Sequence, residues 1–190
     1  MALLTSSAAL AQTTRPVTEA DPAAAIATMR NELIDSFNKA DMPRLLSNLD
    51  ADVVVTWQNG EVSRGPDGVK AYYDKMMTGT NRIVESVHAD PKVTDRHVYG
   101  DWAVSWGEMN DTFKLTDGRE LPLNSHFTAT IARRGDAWKV TSFHLSVDAF
   151  DNPILKLAVG KAALWTGIGV GALSLIVGVV IGRIWGRKAA

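Results

Sequence analysis

The chain has 190 residues, enough for one globular domain and an additional segment. Its 20 Lys and Arg residues nearly balance its 21 Asp and Glu residues, which argues against binding to nucleic acid through bulk positive charge. The absence of cysteine excludes a disulfide framework and a thiolate metal site.

Residues 1–20 begin with a short apolar stretch and continue as a polar linker. Ala9, Leu10 and Ala11 match the small-x-small pattern of a signal-peptidase site. The basic start of a signal peptide is missing, because no Lys or Arg precedes Arg15. Two interpretations stay open for this segment: a signal-peptide remnant, or a disordered, alanine-rich start.

The segment 21–150 is predicted to be one domain that begins with helices. Asp21 is a suitable N-cap and Pro22 a suitable first helical residue. A first helix is indicated by apolar residues at helical spacing, namely Ile26, Met29, Leu33 and Phe37. A second, short helix begins at residues 41–43, and a third helix begins at Pro66.

Strands dominate the rest of this segment. The stretch ADVVVTWQNG is typical of a strand that ends in an Asn-Gly turn, and EVSRG continues it. Longer strands are predicted further along the chain, at 82–94, 97–115, 120–134 and 137–147. Helices followed by long antiparallel strands indicate an α+β fold.

An uncharged run of 21 residues, 162–182, follows a juxtamembrane linker at 151–161. As a helix it would span about 31 Å, which matches a hydrocarbon core of about 30 Å. Trp165 and Trp185 lie near its ends, where indole rings favour the membrane interface. The run therefore predicts one transmembrane helix, with a buried core helix as the alternative.

Positive charge predicts the orientation of this helix. Arg183, Arg187 and Lys188 lie in the tail 183–190, which favours a cytoplasmic C-terminus. The main domain would then lie on the periplasmic side of the cytoplasmic (inner) membrane, with the lipid bilayer as a partner. A face of small residues lets two helices pair closely, so we also expect a homodimer from the glycines at positions 160, 167, 171, 178 and 182.

Two stretches of the domain resemble a known family. They are DVVVTWQNGEVSRGPDGVKAYYDKM and GDAWKVTSFHLSVD, and they resemble the SnoaL-like branch of the nuclear-transport-factor-2-like, or ketosteroid-isomerase-like, superfamily. The similarity extends over residues 22–150. It implies a cone-shaped, curved antiparallel sheet wrapped around the N-terminal helices, with a pocket inside and often a dimer. It does not define an activity, because the superfamily contains isomerases, cyclases, dehydratases and non-catalytic modules.

Two turns predict the register of the last strands. Asp117-Gly118 suits a two-residue hairpin loop, and Gly135-Asp136 suits another. Directly opposed residues share one face of a sheet, so the loops predict four inward rows: Val104, Ile131 and Val140; Trp106, Ala129 and Ser142; Glu108, Phe127 and His144; Asn110, Ser125 and Ser146. Such a face is apolar at one end and polar at the other, which is typical of a small-ligand pocket.

Glu108 and His144 are the candidate catalytic residues, because a carboxylate beside an imidazole can hold its tautomer and make it a general acid or base. The candidate ligand-binding residues are Trp57, Trp106, Phe127, Ser142, Asn110 and Ser146. Structural roles stay open, since His144 could only close the cone and Glu108 could lie at a solvated rim. Both tryptophans could belong to the core.

Other kinds of site are not indicated. No two histidines have metal-ligand spacing, so we expect no metal site and no cofactor. The first strand places Val53, Val55 and Trp57 on one face, with no acid where the superfamily's isomerases carry their base. This difference counts against steroid-isomerase chemistry, and whether the protein is an enzyme stays open.

The leading hypothesis is a membrane-anchored SnoaL-like domain that binds a small, mostly apolar ligand in its cone. The first alternative is a non-catalytic dimerisation module at the membrane. The second is a cyclase or isomerase that uses His144 and Glu108 as acid and base. A cone filled by its own aromatic side chains would favour the dimerisation module.

Overall fold

This computed structural model describes residues 21–153, 155–156 and 174, in which most helices come before a run of five consecutive strands. The helices are α1 (Pro22–Asn38), α2 (Met42–Ser47) and α3 (Gly65–Tyr73), and α3 continues into a π-helical turn (Asp74–Thr78). The strands are β1 (Leu49–Thr56), β2 (Val62–Arg64), β3 (Val84–His88), β4 (Pro91–Tyr99), β5 (Trp102–Leu115), β6 (Glu120–Arg134) and β7 (Ala137–Ser146).

All seven strands belong to one curled sheet, with the helices against its inner face. The order is β2-β1-β7-β6-β5, and β5 also pairs with β4 along its first part and with β3 along its last part. The α+β class and the cone that the family resemblance implies are confirmed. The expectation of a purely antiparallel sheet is wrong in one place, because β1 and β7 run parallel.

The start of α1 follows from its cap. The Asp21 carboxylate accepts a hydrogen bond from the Ala23 N–H at 3.0 Å, and Pro22 occupies the first helical position, as the sequence predicts. Ile26 and Met29 then lie one turn apart and are buried against the sheet. The cap thus starts α1 at Pro22, and the apolar stripe packs the helix into the core against the sheet.

Two of the predicted strands are each interrupted. The segment 82–94 is divided at Ala89, whose N–H and C=O both bond to the side chain of Asn38 at the end of α1. The segment 97–115 is divided by a turn at Gly100, which has a positive φ of 62°. Because these breaks separate β3, β4 and β5, three strands form where the sequence predicts two.

The β5–β6 hairpin closes at Leu115 and Arg119, with three residues, 116–118, between them, whereas the sequence predicts a two-residue loop. The Leu115 N–H donates to the Arg119 carbonyl at 2.8 Å, and Gly118 takes a positive φ of 85°. Lys114 therefore pairs with Glu120, one residue away from the predicted register. A slip of one residue moves every side chain to the other face, so the inward residues of β5 are Ala103, Ser105, Gly107, Met109 and Asp111.

The β6–β7 hairpin has the predicted register only at its start, where Ile131 pairs with Val140. An irregularity between Thr130 and Ile131 then shifts the pairing, and β7 has one extra residue beside β6. Beyond it, Leu145 is buried on the inner face and His144 is exposed on the outer face. The prediction that His144 faces inward is therefore wrong.

Gly107 allows β4 to approach β5 closely. A side chain at this position would overlap the carbonyl oxygen of Lys92, next to the bulge between Val93 and Asp95. Only glycine fits such an approach. The bulge bends β4 over the inner face, and the Arg96 side chain on this strand reaches the α1 backbone.

Within the described residues, no helix is long and apolar enough to cross a bilayer. The predicted transmembrane segment 162–182 lies outside the described part except for Ser174, and segments 1–20 and 183–190 lie outside it entirely. The linker 151–161 is described only at 151–153 and 155–156.

Candidate ligand-binding site

A cavity of about 230 Å³ lies between α1, α3, the π-helical turn and the inner face of the sheet. Its walls are almost entirely apolar and rich in aromatic rings and thioethers. The apolar residues include Ile26, Met29, Leu33, Phe37, Trp57, Met76, Met77, Met109, Phe113, Phe127, Phe143 and Leu145. A concave, apolar site with a few polar groups is the usual form of a small-molecule pocket.

Asp111 is the carboxyl group that lines this cavity. It lies on the inner face of β5 and is only 3% exposed. Its Oδ2 accepts a hydrogen bond from Gln58 Nε2 at 3.3 Å, and Gln58 lies in the turn directly after β1. Its Oδ1 has no hydrogen-bond partner among the described residues. Buried polar atoms are rarely left unpaired, so this one is available to a bound molecule.

Burial raises the pKa of the Asp111 carboxyl to about 6, and the negative charge of Asp90 acts in the same direction. The nearby backbone of Asp90 and the hydrogen bond from Gln58 oppose this increase. A carboxyl group with such a pKa donates a hydrogen bond when protonated and accepts one when ionised. It is therefore suited to take up or release a proton near neutral pH.

Trp57 and Tyr72 form a stacked pair at another part of the cavity wall. Their rings are nearly parallel, with centroids 4.2 Å apart. The Trp57 indole N–H donates to the Ser63 hydroxyl at 2.9 Å, which fixes the ring against β2. Burial, with a smaller contribution from Glu61, raises the pKa of Tyr72 to about 12, so its hydroxyl stays neutral.

Two arginines also line the cavity, away from Asp111. Arg96 donates from Nε to the Ser105 hydroxyl at 3.0 Å. Arg30, on α1, donates to the side chain of Asn31 next to it. Because Ser105 and Asp111 are six residues apart on one face of β5, the arginines and the carboxyl lie at different ends of the cavity.

The structure does not bring Glu108 and His144 together in the cavity. Both are exposed on the outer face, where Glu108 pairs with His126 and His144 pairs with Thr128. The predicted inward pairing of the two is therefore a register error, with the two physical causes given above. Neither residue contacts the cavity, so acid–base chemistry there requires another group.

The six candidate ligand-binding residues divide between the two faces. Trp57 and Phe127 line the cavity. Trp106 faces outward, with its ring 5.1 Å from that of His97. The remaining three also lie on the outer face, for the same reasons of register: Asn110, Ser142 and Ser146.

Asp111, Gln58 and the two arginines escape prediction from the sequence. A usable signal for Asp111 exists, because Thr116-Asp117-Gly118 also fits a three-residue loop with glycine in the left-handed conformation. That loop alone would have turned Asp111 inward. Gln58 and Arg30 carry no such signal, since their positions depend on how β1 and α1 pack.

Metal binding has no candidate in the part of the chain that the structure describes. No group of three or more His, Asp or Glu side chains there is arranged to hold a metal ion. The polar residues of the cavity are instead single groups set into an apolar wall.

Comparison with family profiles identifies the class of protein that this fold and cavity represent. The profile of the SnoaL-like domain matches residues 30–141, more than half of the chain, and the chain belongs to this family. A comparison with curated protein sequences gives no significant match.

Solved structures agree with this assignment at the level of the fold. A hexachlorocyclohexane dehydrochlorinase, LinA-type3 from Novosphingobium barchaimii LL02, is 16% identical, with a TM-score of 0.57 over 68% of this chain and 88% of that one. A ketosteroid isomerase-like protein from Erwinia carotovora atroseptica SCRI1043 is 17% identical, with a TM-score of 0.56 over 66% and 95% of the two chains. An NTF-2 like protein of unknown function from Shewanella oneidensis MR-1 is 18% identical, with a TM-score of 0.51 over 66% and 99%. At these identities the similarity shows the fold alone.

Proposed function

We propose that the domain binds a small, mostly apolar molecule in the cavity, with Asp111 as a polar contact. The observation that carries this proposal is the unpaired, buried Oδ1 of Asp111 in a wall made of aromatic and aliphatic side chains. An apolar wall supplies binding free energy by removing ligand surface from water, and one carboxyl group supplies orientation.

The cavity also counts against the alternative of a non-catalytic dimerisation module. Phe127 and Trp57 lie in its wall, yet about 230 Å³ stays open between them and the helices. This cavity is partly open to solvent, so its apolar wall is in contact with water, which is unfavourable for the domain alone and favours binding of an apolar ligand. Ligand binding is therefore the function that this geometry supports best.

We further propose that residues 162–182 anchor the domain in the cytoplasmic membrane, with the domain on the periplasmic side and the chain as a homodimer. The support is the sequence: an uncharged run of bilayer length between Lys161 and Arg183, with glycines repeated on one face. The described domain provides one further observation. Tyr99 and Trp102 are exposed on the outer face, and their stacked rings have centroids 4.5 Å apart.

Native mass spectrometry of the full chain tests these proposals together. The protein should leave the membrane fraction only with detergent, appear as a dimer, and retain a small molecule. Ala129→Phe fills the cavity from the inner face of β6, so this variant should lose the retained molecule. Thr128→Phe is the matched control, because Thr128 is the preceding residue and is exposed on the outer face.

The outcomes separate the claims. Wild-type protein that carries no small molecule, or Ala129→Phe protein that still carries one, would contradict ligand binding in the cavity. Release of the full chain into a detergent-free extract would contradict the anchor, and a monomer would contradict the dimer. Each result leaves the other two claims standing on their own observations.

A proton-transfer enzyme is the second candidate, favoured by the pKa of Asp111 near 6. In this reaction the ionised carboxyl takes a proton from a C–H bond of the bound molecule and returns it. In D₂O the retained molecule should then gain deuterium at that carbon. Asp111→Asn should stop this exchange, whereas His144→Ala should leave it unchanged because His144 lies outside the cavity. Exchange that persists in Asp111→Asn would contradict this role.

A further inference from the structure

The cavity carries positive charge that nothing in the described part of the chain neutralises. Arg30 and Arg96 both line it, and both are partly buried. Arg96 donates to the Ser105 hydroxyl and to the Ala23 carbonyl, and Arg30 donates to the Asn31 amide oxygen. All three acceptors are neutral, and within residues 21–153, 155–156 and 174 no carboxylate forms a salt bridge with either guanidinium.

This arrangement differs from the other arginines that are partly withdrawn from water. Arg44 bonds to the Asp35 carboxylate, and the Arg133 guanidinium lies 4.0 Å from the Asp101 carboxylate. Charged groups removed from water are normally paired, because an unpaired one loses its hydration and gains no ion pair in exchange. Arg96 bonds to the Ala23 carbonyl, about two turns before Arg30 on α1, so both guanidinium groups lie along this helix. Burial and the charge of Arg30 also lower the pKa of Arg96. A site with two adjacent cations and an apolar floor is complementary to an amphiphilic anion.

Resting on the proposed function, we propose that the ligand is an apolar carboxylic acid whose carboxylate binds between Arg30 and Arg96. Its hydrocarbon or aromatic body then occupies the cavity, against Met29, Phe127 and their neighbours. Arginine presents paired N–H groups that match the two oxygens of a carboxylate. Asp111 lies at a different end of the cavity, so its own charge does not oppose the carboxylate there.

The test compares two probes with the same apolar body and similar shape, the anionic 4-phenylbutyrate and its neutral amide, 4-phenylbutanamide. Isothermal titration of the full chain should show that the carboxylate binds at least about tenfold more tightly than the amide. Arg30→Gln and Arg96→Gln should each remove most of this preference, because they should weaken binding of the carboxylate far more than binding of the amide. Arg96→Lys should keep part of it, since the charge is retained without the paired N–H groups.

Arg64→Gln is the matched control, because Arg64 is exposed on β2 and does not line the cavity. Equal affinity for the two probes, or a preference that survives in both glutamine variants, would overturn the carboxylate assignment alone. Failure of both probes to bind would overturn it too. Failure combined with no retained molecule in the wild-type protein would also overturn the proposed function. If Arg96→Gln lowers the melting temperature strongly, Arg30→Gln gives the decisive comparison.

Discussion

Asp111 is placed where a carboxyl group is costly for folding. It is almost fully buried, one of its oxygens is unpaired, and no cation is bonded to it among the described residues. The neighbouring inward positions of β5 carry small or apolar residues, such as Ala103 and Met109, which would cost nothing comparable. Costly residues of this kind are typical of functional sites, where stability is lost in return for chemistry.

The stability cost has a defined pH dependence. In the folded protein the pKa of Asp111 is raised from 3.8 to about 6, so the folded state binds its proton more tightly than the unfolded state. The stabilisation from this proton is complete below about pH 4 and is lost as the pH rises through about 6. By linkage, ionisation of Asp111 lowers the free energy of unfolding by up to about 3 kcal/mol at pH 7.5.

Asp111→Asn should therefore stabilise the protein at pH 7.5, by up to about 3 kcal/mol, because asparagine cannot ionise. At pH 4 the variant and the wild type should differ by less than about 0.5 kcal/mol from this cause. Urea unfolding at both pH values measures the difference. Asp52→Asn is the control, since Asp52 is exposed and should give less than about 0.5 kcal/mol at either pH. An Asp111→Asn protein that is less stable than wild type at pH 7.5 would contradict this interpretation.

At the scale of the elements, the helices and most strands follow from local sequence. The cap at Asp21 and the spacing of Ile26 and Met29 are enough to predict α1, and the structure confirms this prediction. The long strands β6 and β7 are also predicted nearly to their ends. These elements are predictable because hydrophobic period and capping act over a few residues and do not depend on distant partners.

Which side chains of a strand face the cavity depends on single residues in loops and bulges. One residue in the Asp117-Gly118 loop decides whether Glu108 or Asp111 faces the cavity. One extra residue in β7 decides between His144 and Leu145. The first choice has a local signal in the three-residue loop 116–118, whereas the second depends on an irregularity inside the β6–β7 pair that no turn indicates. The candidate catalytic pair is therefore misplaced although the strands themselves are right.

Gly107 is a feature of the sequence that indicates an irregularity in the sheet. A glycine in a strand interior weakens the strand unless another backbone approaches it closely. Here the approaching group is the Lys92 carbonyl of β4. An isolated glycine between Trp106 and Glu108 therefore indicates a bulge in a neighbouring strand. A bulge changes the strand register, so the register predicted from a hairpin loop does not hold along the whole strand.

At the scale of the whole molecule, the cavity is a joint product of the sheet and the helices. The sheet supplies Asp111 and the aromatic floor, α1 supplies Arg30, and the turn after β1 supplies Gln58. Because these groups come from distant parts of the chain, they line one cavity only in the folded protein. The raised pKa of Asp111 is accordingly a property of the closed cone and should disappear when the cone unfolds.

The central claim is that Asp111 lies in an apolar cavity as a carboxyl group that titrates near neutral pH. The most direct test is an NMR titration of the ¹³C-labelled aspartate carboxyl groups, with the Asp111 signal assigned by its loss in Asp111→Asn. We expect a midpoint near pH 6 in the folded protein, and a return to about 4 in urea. A midpoint below about 4.5 in the folded protein would mean that water reaches this carboxyl group, and it would contradict the account.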